Sequence, residues 1–318
     1  MTRGGGAGYA ARVRSLRSLF LIAVVVAGGL PAQGKKPVPA ACRQEFVVTP
    51  CADTTSVTLT VVIPGDWRGR QTLRRETFDP QPKQVLGEAG TRYAVFELAG
   101  PGKREPLAIR IDSELDLWPP ALGVPKPKKG EDDGGEAAEW LRAEPFVESE
   151  DPRVVAAARS LAGKQPDDLV RSATGKVLAA LEFGGFAPTA VGAGQALELG
   201  RGDCSEYSDL LVALLRARQV PARHIQGFTT DWTDTPKHSW VEAHVPGKGW
   251  TMLDPTRADT NPEALTGPRA NYVWLSPRRN DDRLAGHHYY RYTYQGGAAE
   301  VRGTVTLRVG KTEKSAAL

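Results

Sequence analysis

A chain of 318 residues, 41% hydrophobic and 25% charged, is long enough for two buried cores and too apolar to be disordered throughout. Its formal charge of +4 would suit an anionic partner, but Arg3, Arg12, Arg14 and Arg17 lie in the first 32 residues with no acid among them. Setting those four aside leaves 37 basic against 37 acidic residues, which argues against a nucleic-acid-binding surface.

The four arginines precede an apolar run, Leu19 to Ala27, followed by small and turn-forming residues up to Ala32. This is the layout of a secretory signal peptide, and the run is shorter than the roughly 20 apolar residues that span a bilayer. Residues 1–33 are therefore expected to be a signal cleaved near Ala32, with an uncleaved anchor as the alternative. The expected location is the periplasm, the cell envelope or the exterior, with no integral membrane domain after signal removal. Three cysteines fit an oxidising compartment: Cys42 and Cys51 can pair or stay free, and Cys204 is left without a match.

From 34 to 116 the pattern is that of strands. Ser56–Ile63, Tyr93–Leu98 and Leu107–Ile111 are rich in β-branched and aromatic residues and bounded by turn formers, which predicts a small β-rich domain. Residues 117–136 include PPALGVPKPKKGEDDGG, where proline, glycine and block charge remove apolar periodicity, so a linker is expected. Helical periodicity follows in Val154–Ala162 and in Leu169, Ala173, Val177 and Leu181, opening a second domain over 137–295. Residues 296–318 read as a late strand, Val301–Val309, and a tail.

The chemistry is concentrated in two segments. In GRGDCSEYSDLLVALLRARQVPAR, residues 200–223, Tyr207, Leu210, Leu211, Leu214 and Leu215 form the apolar stripe of a helix. Asp203 with Glu206 three places on is a form of capping box that starts the helix at Cys204. A cysteine in the first turn faces unpaired N–H groups and the positive end of the helix dipole, which favours the nucleophilic thiolate, and its own N–H is a plausible oxyanion donor. In HSWVEAHVPGKGWTMLDPT, residues 238–256, apolar alternation, a glycine-rich turn and a second short strand predict a hairpin. His238 and Asp254 share a face of that hairpin only if its loop holds three or five residues. The carboxylate would then hold the imidazole in one tautomer while the other ring nitrogen serves the thiol.

Ala196–Thr256 resembles the core of the transglutaminase-like superfamily. The residues that carry the resemblance are Gly202-Asp203-Cys204, Leu214-Leu215-Arg216-Ala217, Val220-Pro221-Ala222-Arg223, His238-Ser239-Trp240-Val241-Glu242, Gly249-Trp250 and Asp254-Pro255-Thr256. Gln219 and Ser239 depart from the family's usual glycine and alanine. The resemblance implies an α+β, papain-like fold, with a helix bearing the cysteine packed on an antiparallel sheet bearing the histidine and aspartate, preceded here by the β-rich domain. It also implies acyl transfer on amides through a thioester, with Cys204 as nucleophile, His238 as base and Asp254 orienting that base. For the family's upstream oxyanion residue Gln195 is the candidate, with Phe186 behind it, and Trp240 is a candidate wall of the substrate channel.

The expected activity is that of a cysteine hydrolase or acyltransferase on protein or peptide amides, with a catalytically silent binding or scaffold module as the alternative. His224 and His244 lack ligand spacing and read as structural. No phosphate loop, zinc spacing or basic aromatic surface is present in the sequence, so neither a cofactor nor a nucleic-acid partner is implied. Oligomeric state stays open.

Overall fold

A computed structural model describes residues 36–99, 105–119, 134–186, 189–261 and 269–318. The expected signal peptide lies outside these residues, as does most of the expected linker. Six strands come first: β1 (Val38–Pro50), β2 (Thr54–Ile63), β3 (Gln71–Asp79), β4 (Gln84–Glu88), β5 (Thr91–Ala99) and β6 (Leu107–Leu117). The second region carries α1 (Gly134–Glu139), α2 (Pro152–Arg159), α3 (Pro166–Ala180), β7 (Glu182–Phe183), α4 (Gly192–Leu199), β8 (Arg201–Gly202) and α5 (Cys204–Ala217). It continues with β9 (Ala222–Thr229), β10 (Lys237–Val245), β11 (Gly249–Leu253), α6 (Pro255–Thr260) and β12 (Tyr272–Ser276), and the chain closes with β13 (Tyr290–Gly296), β14 (Ala299–Val309) and β15 (Thr312–Ala317).

The β-rich unit is a sandwich of two antiparallel sheets, β15-β14-β1-β6-β3 and β13-β2-β5-β4. Alternation along the strands sends Phe46, Val48, Ile109 and Ile111 from one sheet and Val57, Leu59, Val61 and Phe96 from the other into a shared core. Residues 290–317 thus complete the N-terminal sheets: β14 pairs along β1 from Ala40↔Val309 to Pro50↔Ala299, and β13 pairs with β2. The strand expected over 301–309 is present, and it is an inner strand of the N-terminal sheet.

Cys42 and Cys51 do not pair. They lie nine residues apart along the extended β1 and its end, roughly 30 Å at strand rise, where a disulfide needs Cα atoms about 4.4–6.8 Å apart. Cys42 is buried in a core shared by the sandwich with β9 and β12, where desolvation, with Asp112 adding to it, pushes its thiol up to about 12. Cys51 is exposed, and the Thr54 hydroxyl, 3.4 Å from its sulfur, pulls its pKa down.

The second unit sets α5 against the sheet β11-β10-β9-β12. Tyr207, Leu210, Leu211, Leu214 and Leu215 of α5 pack with Val154, Leu169, Ala173 and Val177 of α2 and α3 on one side and with Val241, Ala243 and Val245 of β10 on the other. Both helices found from periodicity are present, each starting a few residues earlier than the apolar pattern because Pro152 and Pro166 occupy first-turn positions, where a missing N–H costs nothing.

The two units are joined by polar ties across an apolar seam. The Gln71 side chain mimics a peptide group, donating to the Trp274 carbonyl at 3.0 Å and accepting from the Trp274 N–H at 2.9 Å. Arg70 donates to the Trp250 carbonyl at 3.1 Å, and the Thr91 and Ser276 hydroxyls meet at 2.8 Å. Gly227 of β9 lets the sheet close: a Cβ there would lie 2.1 Å from the Val273 carbonyl oxygen and 2.5 Å from the Trp240 ring. Gly227→Ala is accordingly expected to destabilise the protein by roughly 2–4 kcal/mol, read as a lowered midpoint in urea.

Candidate active site

Local chemistry starts α5 at Cys204. The Asp203 carboxylate accepts the Ser205 N–H at 2.7 Å, and Glu206 reaches back to the Asp203 N–H at 3.0 Å, completing the capping box. Glu206 also accepts the Val191 N–H at 3.2 Å; burial, with Asp203 beside it, pushes its pKa up to about 7. Gly202 is required by this packing, since a Cβ there would lie 2.4 Å from the Glu206 Cβ. Cys204 is 8% exposed, so its sulfur meets solvent only through the cleft above it.

The hairpin supplies the other two groups. Val245 pairs with Gly249, leaving a three-residue loop, Pro246 to Lys248, in which Gly247 takes a positive φ of 80°. The odd count puts His238 and Asp254 on one face, as the parity argument requires. Asp254 lies just past β11 as the N-cap of α6: its Oδ1 accepts the Arg257 N–H at 3.0 Å and its Oδ2 meets His238 Nε2 at 2.7 Å. Cys204 and His238 line the same cleft, and Cys204 acts on the charge of the imidazole. The structure therefore brings Cys204, His238 and Asp254 together.

Burial disfavours charge on His238, but the Asp254 carboxylate and Cys204 outweigh it and push the imidazole pKa up to about 10. Asp254 is likewise opposed by burial, and its pKa is held down by His238, the Arg257 N–H and the Tyr272 hydroxyl. Tyr272 donates to the same Asp254 oxygen at 2.8 Å.

Trp232 adds a contact that the sequence reading missed. Its indole N–H, which can only donate, points at His238 Nδ1 at 3.0 Å. That bond requires the neutral ring, with the lone pair on Nδ1 and the proton on Nε2, and it is lost when the imidazole is protonated. A donor to the neutral ring opposes imidazolium formation. Trp232→Phe, which keeps the ring, is thus expected to speed iodoacetamide alkylation of Cys204 at pH 6–7 by about fivefold, for a bond worth roughly 1 kcal/mol. A slower rate would mean that the indole supports the thiolate instead.

Cys204 and His238 line a cleft of about 540 Å³ with Phe186, Asp234, Lys237, His288, Tyr289, Ala316 and Ala317 among its walls. Lys237 is pushed down by burial and drawn up by Cys204. At the rim, Phe183 and Phe186 are 41% and 53% exposed, and Phe183 stacks on Trp232.

Two expected site residues are corrected. Gln195 lies on the exposed side of α4, whose buried face is Gly192, Ala193, Gly194 and Ala196, so it stays outside the cleft; Phe186 is on the cleft wall. Trp240 shares a face with His238 but is fully buried, stacked beneath the imidazole and packed on Tyr272 and Trp274. It supports the histidine from behind and walls no channel. Trp232, Tyr272, Lys237, His288 and Tyr289 were missed. Only the aromatic clusters at 232 and 288–290 offered a signal, and neither carries a spacing rule that ties it to a cysteine.

His224 is a core residue: its Nδ1 meets Asp209 at 2.8 Å, and Arg279 bonds both oxygens of that carboxylate. His244 packs its ring edge-on against Trp250. Among the described residues no group of three or more potential ligands is placed to hold a metal ion, and no helix is long and apolar enough to cross a membrane.

Residues 156–255, which hold all three triad positions, match the model of the transglutaminase-like superfamily. This segment is similar to a transglutaminase-like core. An alignment of 79 positions, covering 20% of this chain, is 34% identical to the uncharacterized protein YebA of Bacillus subtilis (strain 168), of which it covers only 11%. The whole fold is similar to a crystal structure of a candidate cysteine protease from Cytophaga hutchinsonii, with a TM-score of 0.63 over 89% of this chain and 99% of that one at 15% identity. That likeness extends the shared architecture beyond the transglutaminase-like core to the β-sandwich. The periplasmic domain of TgpA from Pseudomonas aeruginosa aligns over 74% of this chain and 92% of its own at 21% identity, with a TM-score of 0.38.

Proposed function

We propose that this protein is a cysteine acyl-transfer enzyme acting on amide bonds of proteins or peptides. The observation that supports this reading above the others is the buried His238, held by Asp254 at 2.7 Å on one nitrogen and lining one cleft with Cys204. His238 Nδ1 takes the thiol proton, the sulfur attacks the amide carbonyl, and the oxyanion forms beside the N–H groups that open α5. The C–N bond breaks as the imidazolium returns its proton to the leaving amine, giving a thioester on Cys204. Water or a second amine, deprotonated by His238, then releases an acid or a new amide and restores the thiol. This step requires the Trp232 N–H to leave Nδ1 first.

The test is incubation with glutamine-containing peptides, with and without a primary amine, followed by mass analysis. Backbone hydrolysis adds 18 Da across two fragments, deamidation adds about 1 Da, and transamidation adds the amine less ammonia. Any of the three, lost on replacement of Cys204, supports the reading; unchanged peptides alongside a Cys204 that alkylates no faster than a free thiol would count for a silent module. Export is part of the proposal and rests on residues 1–33: deleting them is expected to retain the protein in the cytoplasm, as fractionation would show.

A further inference from the structure

We infer that the outer edge of β15 is a docking strand for the substrate, which is recognised as extended polypeptide main chain and delivered along this edge to Cys204. The inference rests on the proposed function for the chemistry but on separate observations for the binding. β15 is an outer strand of the five-stranded sheet, and its last residues, Ala316 and Ala317, line the same cleft as Cys204 and His238.

Pairing parity shows what this edge offers. The Leu318 N–H donates to the Gly303 carbonyl, directly across from it, and the Gly310 N–H donates to the Pro39 carbonyl on the far side of β14. Residues 312, 314 and 316 therefore spend their main-chain groups on β14, while the N–H and C=O groups of Glu313, Ser315 and Ala317 point away from it. The Thr306 and Ser315 hydroxyls, 2.9 Å apart, fit the closer spacing of a pair that exchanges no main-chain bonds.

The other outer strand of this sheet, β3, is blunted. Its register breaks between Leu73 and Arg75, and Arg74 and Arg75 both carry charge there. β15 has no such break over six consecutive pairs, and its alanines at the cleft end are too small to bar a second strand. The Lys314 ammonium reaches the Thr233 carbonyl at 3.5 Å, tying the strand to the loop that carries Trp232. A regular, open edge ending at a nucleophile suits strand addition, in which main-chain bonds give affinity with little regard to sequence.

Hydrogen exchange on the full protein tests this with a synthetic, unstructured glutamine-containing peptide of about ten residues, long enough for one strand, against a blocked glutamine dipeptide. The peptide is expected to slow exchange at the amides of 313, 315 and 317 by about tenfold or more while leaving 314 and 316, already paired, unchanged. The dipeptide should do neither. Ala317→Pro removes one edge-facing N–H at a position where proline is tolerated, and should raise the KM for the long peptide about tenfold. Ser315→Pro serves equally should that variant fold poorly. Absence of protection at the three odd positions, equal protection by the dipeptide, or an unchanged KM in folded variants overturns the docking strand. An inert Cys204 with protection intact overturns the chemistry instead and leaves the edge as a binding site.

Discussion

Replacing Cys204 by alanine is expected to lower kcat/KM on a peptide amide by on the order of 10⁴-fold or more, as removal of a covalent nucleophile does when no other group can form the acyl intermediate. The fold should persist, because alanine suits the first turn of α5 and the Asp203–Glu206 capping box is untouched. The same change should lower the His238 pKa, since Cys204 is among the groups that hold it up. Cys51→Ser serves as the control for general thiol effects: that sulfur is exposed at the far end of β1, and its loss should leave turnover unchanged. Turnover that survives Cys204→Ala would move the chemistry elsewhere.

Asp254→Asn is expected to be the second most damaging substitution. Asp254 uses both oxygens as acceptors, Oδ2 for His238 and Tyr272 and Oδ1 for the Arg257 N–H that starts α6. An asparagine has one oxygen and one NH₂ group, so it can satisfy the histidine or the helix cap but not both. It also removes the negative charge that offsets the burial of the imidazolium. Without it burial dominates, and the His238 pKa should fall from about 10 to below the ordinary histidine value of about 6.5. A loss of roughly 10²–10⁴-fold in kcat/KM is expected, with the alkaline limb of the pH–rate profile moving from near pH 10 to the acid side of neutrality. Because thiol and imidazole titrate together, that limb belongs to the pair.

Stability carries the same signature with a definite sign. The His238 pKa is raised in the folded protein, so its contribution is fully present below about pH 6.5 and is lost as pH climbs toward 10. Wild-type denaturation midpoints should therefore decline over that window. Asp254→Asn should start less stable and show no such decline, and a parallel decline in the variant would mean that Asp254 does not hold the proton on His238.

The segment resembling the transglutaminase-like core was legible because its signals are local. Helix periodicity, the Asp203–Glu206 cap and the turn at Gly247 act within a few residues, and the parity of a three-residue loop alone places His238 and Asp254 on one side of their sheet. The register of β1 with β14, by contrast, joins residues more than 240 positions apart, and no local pattern in either strand names its partner.

The same limit explains what local patterns left open or missed. Cys42 and Cys51 are close in sequence and far apart in space because the chain between them is one extended strand, a conformation that only its neighbours β6 and β14 impose. Gln195 was the candidate for an upstream residue that the resemblance implies, whereas the side of α4 that faces the core is chosen by packing against α5. Trp232 and Tyr272 reach the triad from a loop and from a strand that starts 18 residues beyond Asp254. The sequence by itself determined which residues can act as nucleophile, base and orienting acid, because each is set by short-range caps, turns and alternation. Only the tertiary structure decided what surrounds them, since the cleft walls come from segments brought together by burial of a common core rather than by any rule of spacing.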